Sequence, residues 1–354
     1  MKKIRFLELI PWSMCAICFL FFPQVTASGV TSGLHACATG VLPSLFPFFV
    51  LTNFWVQSGY TDTLAGLFAP VMEDVFHLPG AAASALILGS IGGYPIGAKT
   101  AAQLYRNKHL TKSEAEQTLL FCNNAGPAFV IGLLGAGVFQ SIKAGLLLYA
   151  IHLISAYLIG IIFRPTKKDI FQKCSDGHSE ILPLPQRLTN SISDAGTTAI
   201  LVCTYVLFFA IISRCVSALI PDSAAGCILV GIFELVGGAN ALSAWHVSLQ
   251  IKFVMASFFL GLGGICVLLQ SLSITQAAGL SPNKLLTGKL FHSIFSGLIT
   301  AVLSSLLPIP IPCAMNAGFL QVPVVQQFFV LILLIVIAMI FLKESSGKKK
   351  ENQI

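Results

Sequence analysis

The chain has 354 residues, 55% of them hydrophobic and only 10% charged, with a formal charge of +7. A soluble domain carries about 25% charged residues, and a chain this apolar has too little polar surface to cover a water-facing globule. A cytosolic enzyme, a disordered scaffold and a nucleic-acid binder are excluded. The basic residues gather between hydrophobic runs and at the two ends, which is how membrane proteins mark their cytoplasmic side.

The N-terminus, Lys2-Lys3-Ile4-Arg5, precedes an apolar run from Phe6 to about Val25. Residues 1–30 are assigned to a first transmembrane helix, although basic residues before an apolar run also describe a cleavable signal peptide. The ten cysteines lie almost entirely in apolar segments, where thiols act as small hydrophobes. Cys15 and Cys18 form a CxxC without a histidine or a second pair, a weak metal signal. Further apolar segments follow at about 32–58, 115–140, 143–163, 195–219, 285–307 and 323–342. Each has roughly the 17–25 residues that a spanning helix needs. A polar linker over 164–190 divides the chain, and Lys167, Lys168, Lys173 and Arg187 place it in the cytoplasm. Residues 311–354 hold a last helix and a basic tail, Lys348–Lys350, read as an interface anchor.

Two stretches do not fit a plain count of spans. Residues 80–108 run GAAASALILGSIGG, break at Tyr94-Pro95 and return as IGAKTAAQLYRNK. Each arm is about 13 residues, too short to cross a bilayer, so the pattern predicts a re-entrant hairpin. Residues 248–278 are read as a second hairpin, centred on Gly261–Gly264. A shift of 171 aligns LGSIGG at 88–93 with GLGG at 261–264 and Lys99 with Gln270. The two copies, 31–163 and 191–310, would then form an internal repeat of the kind transporters use. Arg106, Lys108 and Lys112 place the first opening in the cytoplasm, whereas the matching exit of the second carries no charge. An inverted repeat follows if 225–243 lies along the outer interface, as 62–74 does inside, and it leaves the basic tail outside. If 225–243 spans instead, the repeat is parallel and the tail is cytoplasmic.

No HExxH, Walker A, GxSxG or GxGxxG pattern is present, and no catalytic residue is assigned. His152 and His292 sit singly in apolar segments and read as packing residues. No metal site and no cofactor are expected. Polar groups within the apolar segments carry the binding expectation instead. Gly92-Gly93-Tyr94-Pro95 breaks the backbone and must face protein or a cavity. Lys99, four residues on, would cost at least ~2.5–3.5 kcal/mol at mid-membrane and so needs an anionic partner or a wet cavity. It could also snorkel to the interface or pair with an acid such as Glu234. Pro127 breaks the helix after Asn123 and Asn124, freeing their amides for a ligand or for recapping the helix ends. Gln270, Ser271, Ser273 and Thr275 surround the second hairpin. Gly92, Gly93, Tyr94, Pro95, Lys99, Asn123, Asn124, Gln270, Ser271 and Ser273 are the candidate binding residues. The ligand they suggest is a small anionic metabolite.

At LGSIGGYPIGAKTAAQLY and FCNNAGPAFVIG the chain resembles the YlbJ (SpoVV)-type sporulation integral membrane proteins of the nucleoside-recognition (gate) domain family. GVLPSLFPFF and GIFELVGG extend the likeness over roughly 30–310. The resemblance implies a fold like the concentrative nucleoside transporters, with interfacial helices, two re-entrant hairpins and two broken helices. It also implies transport of dipicolinic acid towards the forespore, in the outer forespore membrane, with a coupling ion, the lipid bilayer and further copies of the chain as partners. The acidic and Gln/Thr hairpin residues that nucleoside transporters use are lacking, which disfavours nucleosides. A nucleoside transporter and a non-transporting scaffold for spore assembly are the rival expectations.

Overall fold

Proline and glycine decide where the helices of this chain start, widen and turn. The computed structural model describes residues 13–306 apart from 14, 167–181 and 222. Pro23 opens α1, Pro23–Gln57, where a missing N–H costs nothing. Partway along, α1 widens into a π-helical turn over Cys37–Val41, just ahead of Pro43 and Pro47. Such a bulge absorbs the clash between a proline ring and the preceding turn. The boundary expected at residue 30 therefore falls inside a continuous helix. α2, Tyr60–Val71, follows Gly59.

α3, Ala82–Gly92, and α4, Ile96–Arg106, have eleven residues each. Gly93 turns between them with φ +83°, a backbone conformation that L side chains rarely adopt. The helices fold back so closely that a Cβ on Gly89 would sit 2.6 Å from the Gly97 Cα. α5, Lys112–Leu119, starts at a capping box in which Thr111 and Glu114 satisfy each other's backbone N–H. The chain then leaves helical geometry through Asn123–Gly126, turns helical again at Pro127 and continues as a π-helical segment, Ala128–Val138. α6, Ile142–Ile162, is capped by Ser141.

α7, Leu184–Leu219, has 36 residues and takes up the end of the segment expected to be linker. α8, Ala224–Phe233, and α9, Leu235–Ala244, have ten residues each. They also fold back, since a Cβ on Gly238 would meet the Gly231 Cα at 2.6 Å. α10, Leu249–Leu262, and α11, Gly264–Ala277, are joined by left-handed Gly263 and Gly264. α12 is Asn283–Leu306.

Two expectations are corrected here. Residues 248–278 are a helix broken once, not a hairpin: α10 packs on α12 and α6, while α11 packs on α4 and α7. The folded-back pair of the second half is 224–244, two ten-residue helices packed on each other rather than one continuous helix. The shift of 171 thus paired a hairpin with a broken helix. Glycine marks both kinds of break, so a glycine match alone does not separate them.

Among the described residues, five helices are long and apolar enough to cross a membrane: Pro23–Gln57, Ile142–Ile162, Leu184–Leu219, Leu249–Ala277 and Asn283–Leu306. The described residues form an all-α, multi-pass membrane protein. Ile154, Ile200, Leu298 and Val302 are each more than half exposed, as a lipid-facing surface requires. The last helix expected at 311–354 lies outside the described residues, as do Lys2, Lys3 and Arg5.

Candidate functional site

Four backbone breaks converge at one depth of the bundle. The tip of the first helix pair meets the first broken helix, since a Cβ on Gly93 would be 2.8 Å from Gly126 N. The tip of the second pair meets the second break: a Cβ on Gly264 would lie 3.3 Å from the Phe233 carbonyl oxygen. Tyr94 links the two sets. Its ring is 3.5 Å from where a Gly263 Cβ would be, and its hydroxyl donates to the Leu260 carbonyl at 2.6 Å. In hydrocarbon, irregular backbone persists only where protein or a cavity satisfies it.

These breaks form the floor of a cavity of about 2150 Å³ whose walls come from α1, α7, α8 and α9. Gly92, Gly93, Tyr94, Gly126, Pro127 and Gln270 lie on it. Glu234, at the second tip, also lines the cavity although its residue is only 5% exposed. Its carboxylate accepts from Val236 N at 2.8 Å and Gly237 N at 2.5 Å, capping α9. Arg214, held to Ser32 Oγ at 3.2 Å, brings a cation to the wall, and His35 and His246 stand nearby on the lining.

Of the ten residues expected to bind, Gly92, Gly93, Tyr94 and Gln270 reach this cavity. Pro95 is buried behind the tip. Lys99 is directed elsewhere: it donates to Thr198 Oγ1 at 2.6 Å on α7, with the Asp194 carboxylate acting on its charge. It neither faces the cavity nor pairs with Glu234. Asn123 donates to Ser271 Oγ at 2.8 Å, and Asn124 donates to the Phe121 carbonyl at 2.9 Å. The Asn124 amide N–H thus recaps the end of the preceding helix and that of Asn123 reaches across to α11, while the side-chain carbonyl oxygens of both are buried without a hydrogen-bond partner. Ser273 donates to the Gln270 carbonyl at 2.8 Å within its own helix. Ser271 and Ser273 are therefore not on the cavity floor.

Behind Tyr94 a buried cluster joins Lys289, which the sequence did not single out, to His152 and His292, read above as packing residues. Lys289, 3% exposed on α12, donates to Tyr94 Oη at 3.0 Å and to the Gly261 carbonyl at 3.2 Å. Its ammonium also sits 4.3 Å from the centre of the Tyr94 ring, a cation–π contact. His152 and His292, both buried, stack at 4.4 Å. His152 Nε2 accepts from Ala125 N at 2.9 Å in the first break, and His292 reaches the His152 carbonyl at 2.9 Å. A signal was present: Lys289, His292, Ser296 and Thr300 recur at helical spacing and are all buried, a polar stripe facing the bundle.

Residues 38–167 match the family model described as "Gate: Nucleoside recognition". This stretch is Gate-like. It runs from the π-helical turn of α1 through the first helix pair and the first break to the end of α6. The chain is also similar to the "Sporulation integral membrane protein YlbJ" of Bacillus subtilis (strain 168), with 25% identity over 329 residues, 80% of this chain and 81% of that relative. No solved structure matches the chain.

Proposed function

We propose that the protein is a transporter that passes a small anionic metabolite across a membrane by alternating access. The observation that carries this reading is the meeting of both helix-pair tips and both helix breaks on the floor of one cavity. On this reading, 82–106 and 224–244 enter the bilayer from opposite faces as re-entrant hairpins. The order of elements supports the inversion. Each half has a long helix, a folded-back pair, a broken helix and a closing helix. Three crossings per half leave the second copy upside down, the arrangement of repeat-built transporters.

The anion preference rests on helix ends. The first turns of Ala128–Val138 and of α11 contribute Ala128, Phe129, Cys266 and Val267 to the cavity, and the positive end of a helix dipole favours negative charge there, although the Phe129 and Val130 N–H groups already donate to the Gly126 carbonyl. Glu234 shows how a carboxylate fits such an end, since its own oxygens take the first N–H groups of α9. Gln270 adds a neutral amide for orientation. The resemblance at LGSIGGYPIGAKTAAQLY narrows the anion to dipicolinate moved across the outer forespore membrane. The sporulation protein to which the chain is similar is in keeping with that setting.

The test is counterflow of labelled dipicolinate in proteoliposomes, with unlabelled dicarboxylates and nucleosides as competitors. Competition by dicarboxylates but not by nucleosides is the expected result. Gln270→Leu should weaken the apparent affinity roughly five- to tenfold, the worth of one buried hydrogen bond. Exchange of nucleosides alone would overturn the anion assignment. Absence of all exchange by folded protein would favour the scaffold reading.

A further inference from the structure

We propose that Lys289 is the proton-binding group that couples this transporter to a pH gradient; the proposal rests on the transport reading above. The side chain has two acceptors in reach, the Tyr94 hydroxyl oxygen and the Gly261 carbonyl. A neutral amine can donate to both, and an ammonium adds its third N–H and its charge over the Tyr94 ring. The pocket thus accommodates either state without moving.

The surroundings hold no fixed compensating charge. The tip of the first pair presents Tyr94, α10 presents the Gly261 carbonyl, and α6 presents His152. His292 lies on α12 itself, and Cys122, after α5, acts on the same charge. No carboxylate among the described residues forms an ion pair with Lys289. His152 adds a second observation. Its Nε2 accepts from Ala125 N, so the neutral ring carries its proton on Nδ1, and Nδ1 is buried without a hydrogen-bond partner. The rings are stacked and the members almost fully buried. A proton is the ion such a packed group takes up without opening.

Coupling follows from where the acceptors sit. Tyr94 belongs to the first tip and lines the cavity, whereas Gly261 belongs to α10 beside the second break. A movement of the tip on α10 separates the two acceptors and admits cavity water. The ammonium then gives its proton to that water and is left as the amine. Return of the tip follows proton uptake from the opposite face.

Two measurements test this separately from substrate identity. In detergent, the unfolding midpoints of wild type, Lys289→Met and Lys289→Arg are compared from pH 5 to 9. A gap between wild type and either variant that changes with pH is expected, and a flat gap for both overturns the proposal. In vesicles, one pH unit should drive about tenfold accumulation of the labelled anion per coupled proton. Lys289→Arg, which cannot release its proton, should still exchange the anion at equal pH but lose gradient-driven accumulation. Accumulation by Lys289→Arg equal to wild type overturns the proposal. Failure of wild type to exchange any anion at equal pH would refute the transport reading alone, because the unfolding comparison stands without it.

Discussion

Gly93 and Lys99 lie six positions apart and illustrate how differently single residues can matter. At Gly93, φ is +83° and a Cβ would press on Gly126 N at 2.8 Å, so Gly93→Ala meets backbone strain and a clash that no rotamer relieves. A loss of at least about 1–2 kcal/mol is expected, seen as a lower unfolding midpoint in detergent together with reduced exchange. Lys99 was legible as an anomalous charge in an apolar arm. Its partner was not, because Thr198 and Asp194 arrive from a distant helix that no local pattern brings near. Lys99→Met removes a bond to Thr198 and a partly buried amine and leaves the cavity lining untouched. Apparent substrate affinity should stay within about twofold of wild type, and a transport assay on the variant checks it directly. Asn123 and Ser271 were singled out as ligand-binding groups, and the structure joins them to each other through the Asn123 amide N–H, leaving Asn123 Oδ1 without a partner.

At the scale of elements, hydropathy and breaker residues disclosed the first helix pair and the unwound stretch at Asn123–Gly126, because each is announced by glycine or proline within an apolar run. The second half was harder. GLGG at 261–264 and GIFELVGG at 231–238 both look like turns in an apolar segment, and only the close approach of Gly231 to Gly238 reveals which one reverses direction. Glu234 in the middle of that motif was read only as a possible partner for Lys99, yet a carboxylate amid apolar residues needs backbone donors such as a tip provides. Gly238→Val should therefore damage the second pair specifically. Its Cβ would meet the Gly231 backbone, and such overpacking costs about 1–3 kcal/mol, measurable as a lowered unfolding midpoint. The polar stripe of α12 was missed for another reason. Lys289 lies near the start of its segment, where a lysine is ordinarily taken for an interface residue.

For the whole molecule, charge and contact agree on two ends. Lys108, Lys112, Arg164 and Lys284 lie at the end where Glu116 meets Ser281 N and where His77 meets the Pro165 carbonyl. Lys143 and Lys252 lie towards the other end, where Gln250 meets Ser304. By the positive-inside rule, the excess of basic residues at the first end is expected to face the cytoplasm. Single cysteines at 108 and 252, in a background lacking exposed thiols, should react with a membrane-impermeant maleimide from opposite sides. Labelling of both from one side would refute the inversion. The sequence alone could orient the first hairpin this way, but not the second, because the true second pair was read as an interfacial helix.

Several bonds at the breaks run between the two halves of the chain, and this bears on how the protein is made. Asn123 waits for Ser271, 148 residues later, and Tyr94 waits for Leu260, 166 residues later, and for Lys289, 195 residues later. At about 5–20 residues per second of synthesis, those gaps last roughly 7–40 s. Throughout that interval the first half sits in lipid with its tip and its unwound segment open, each unmet polar group costing several kcal/mol. Nascent chains paused in the linker should therefore be recognised by the membrane's insertion and quality-control machinery, and completion of α12 should release them.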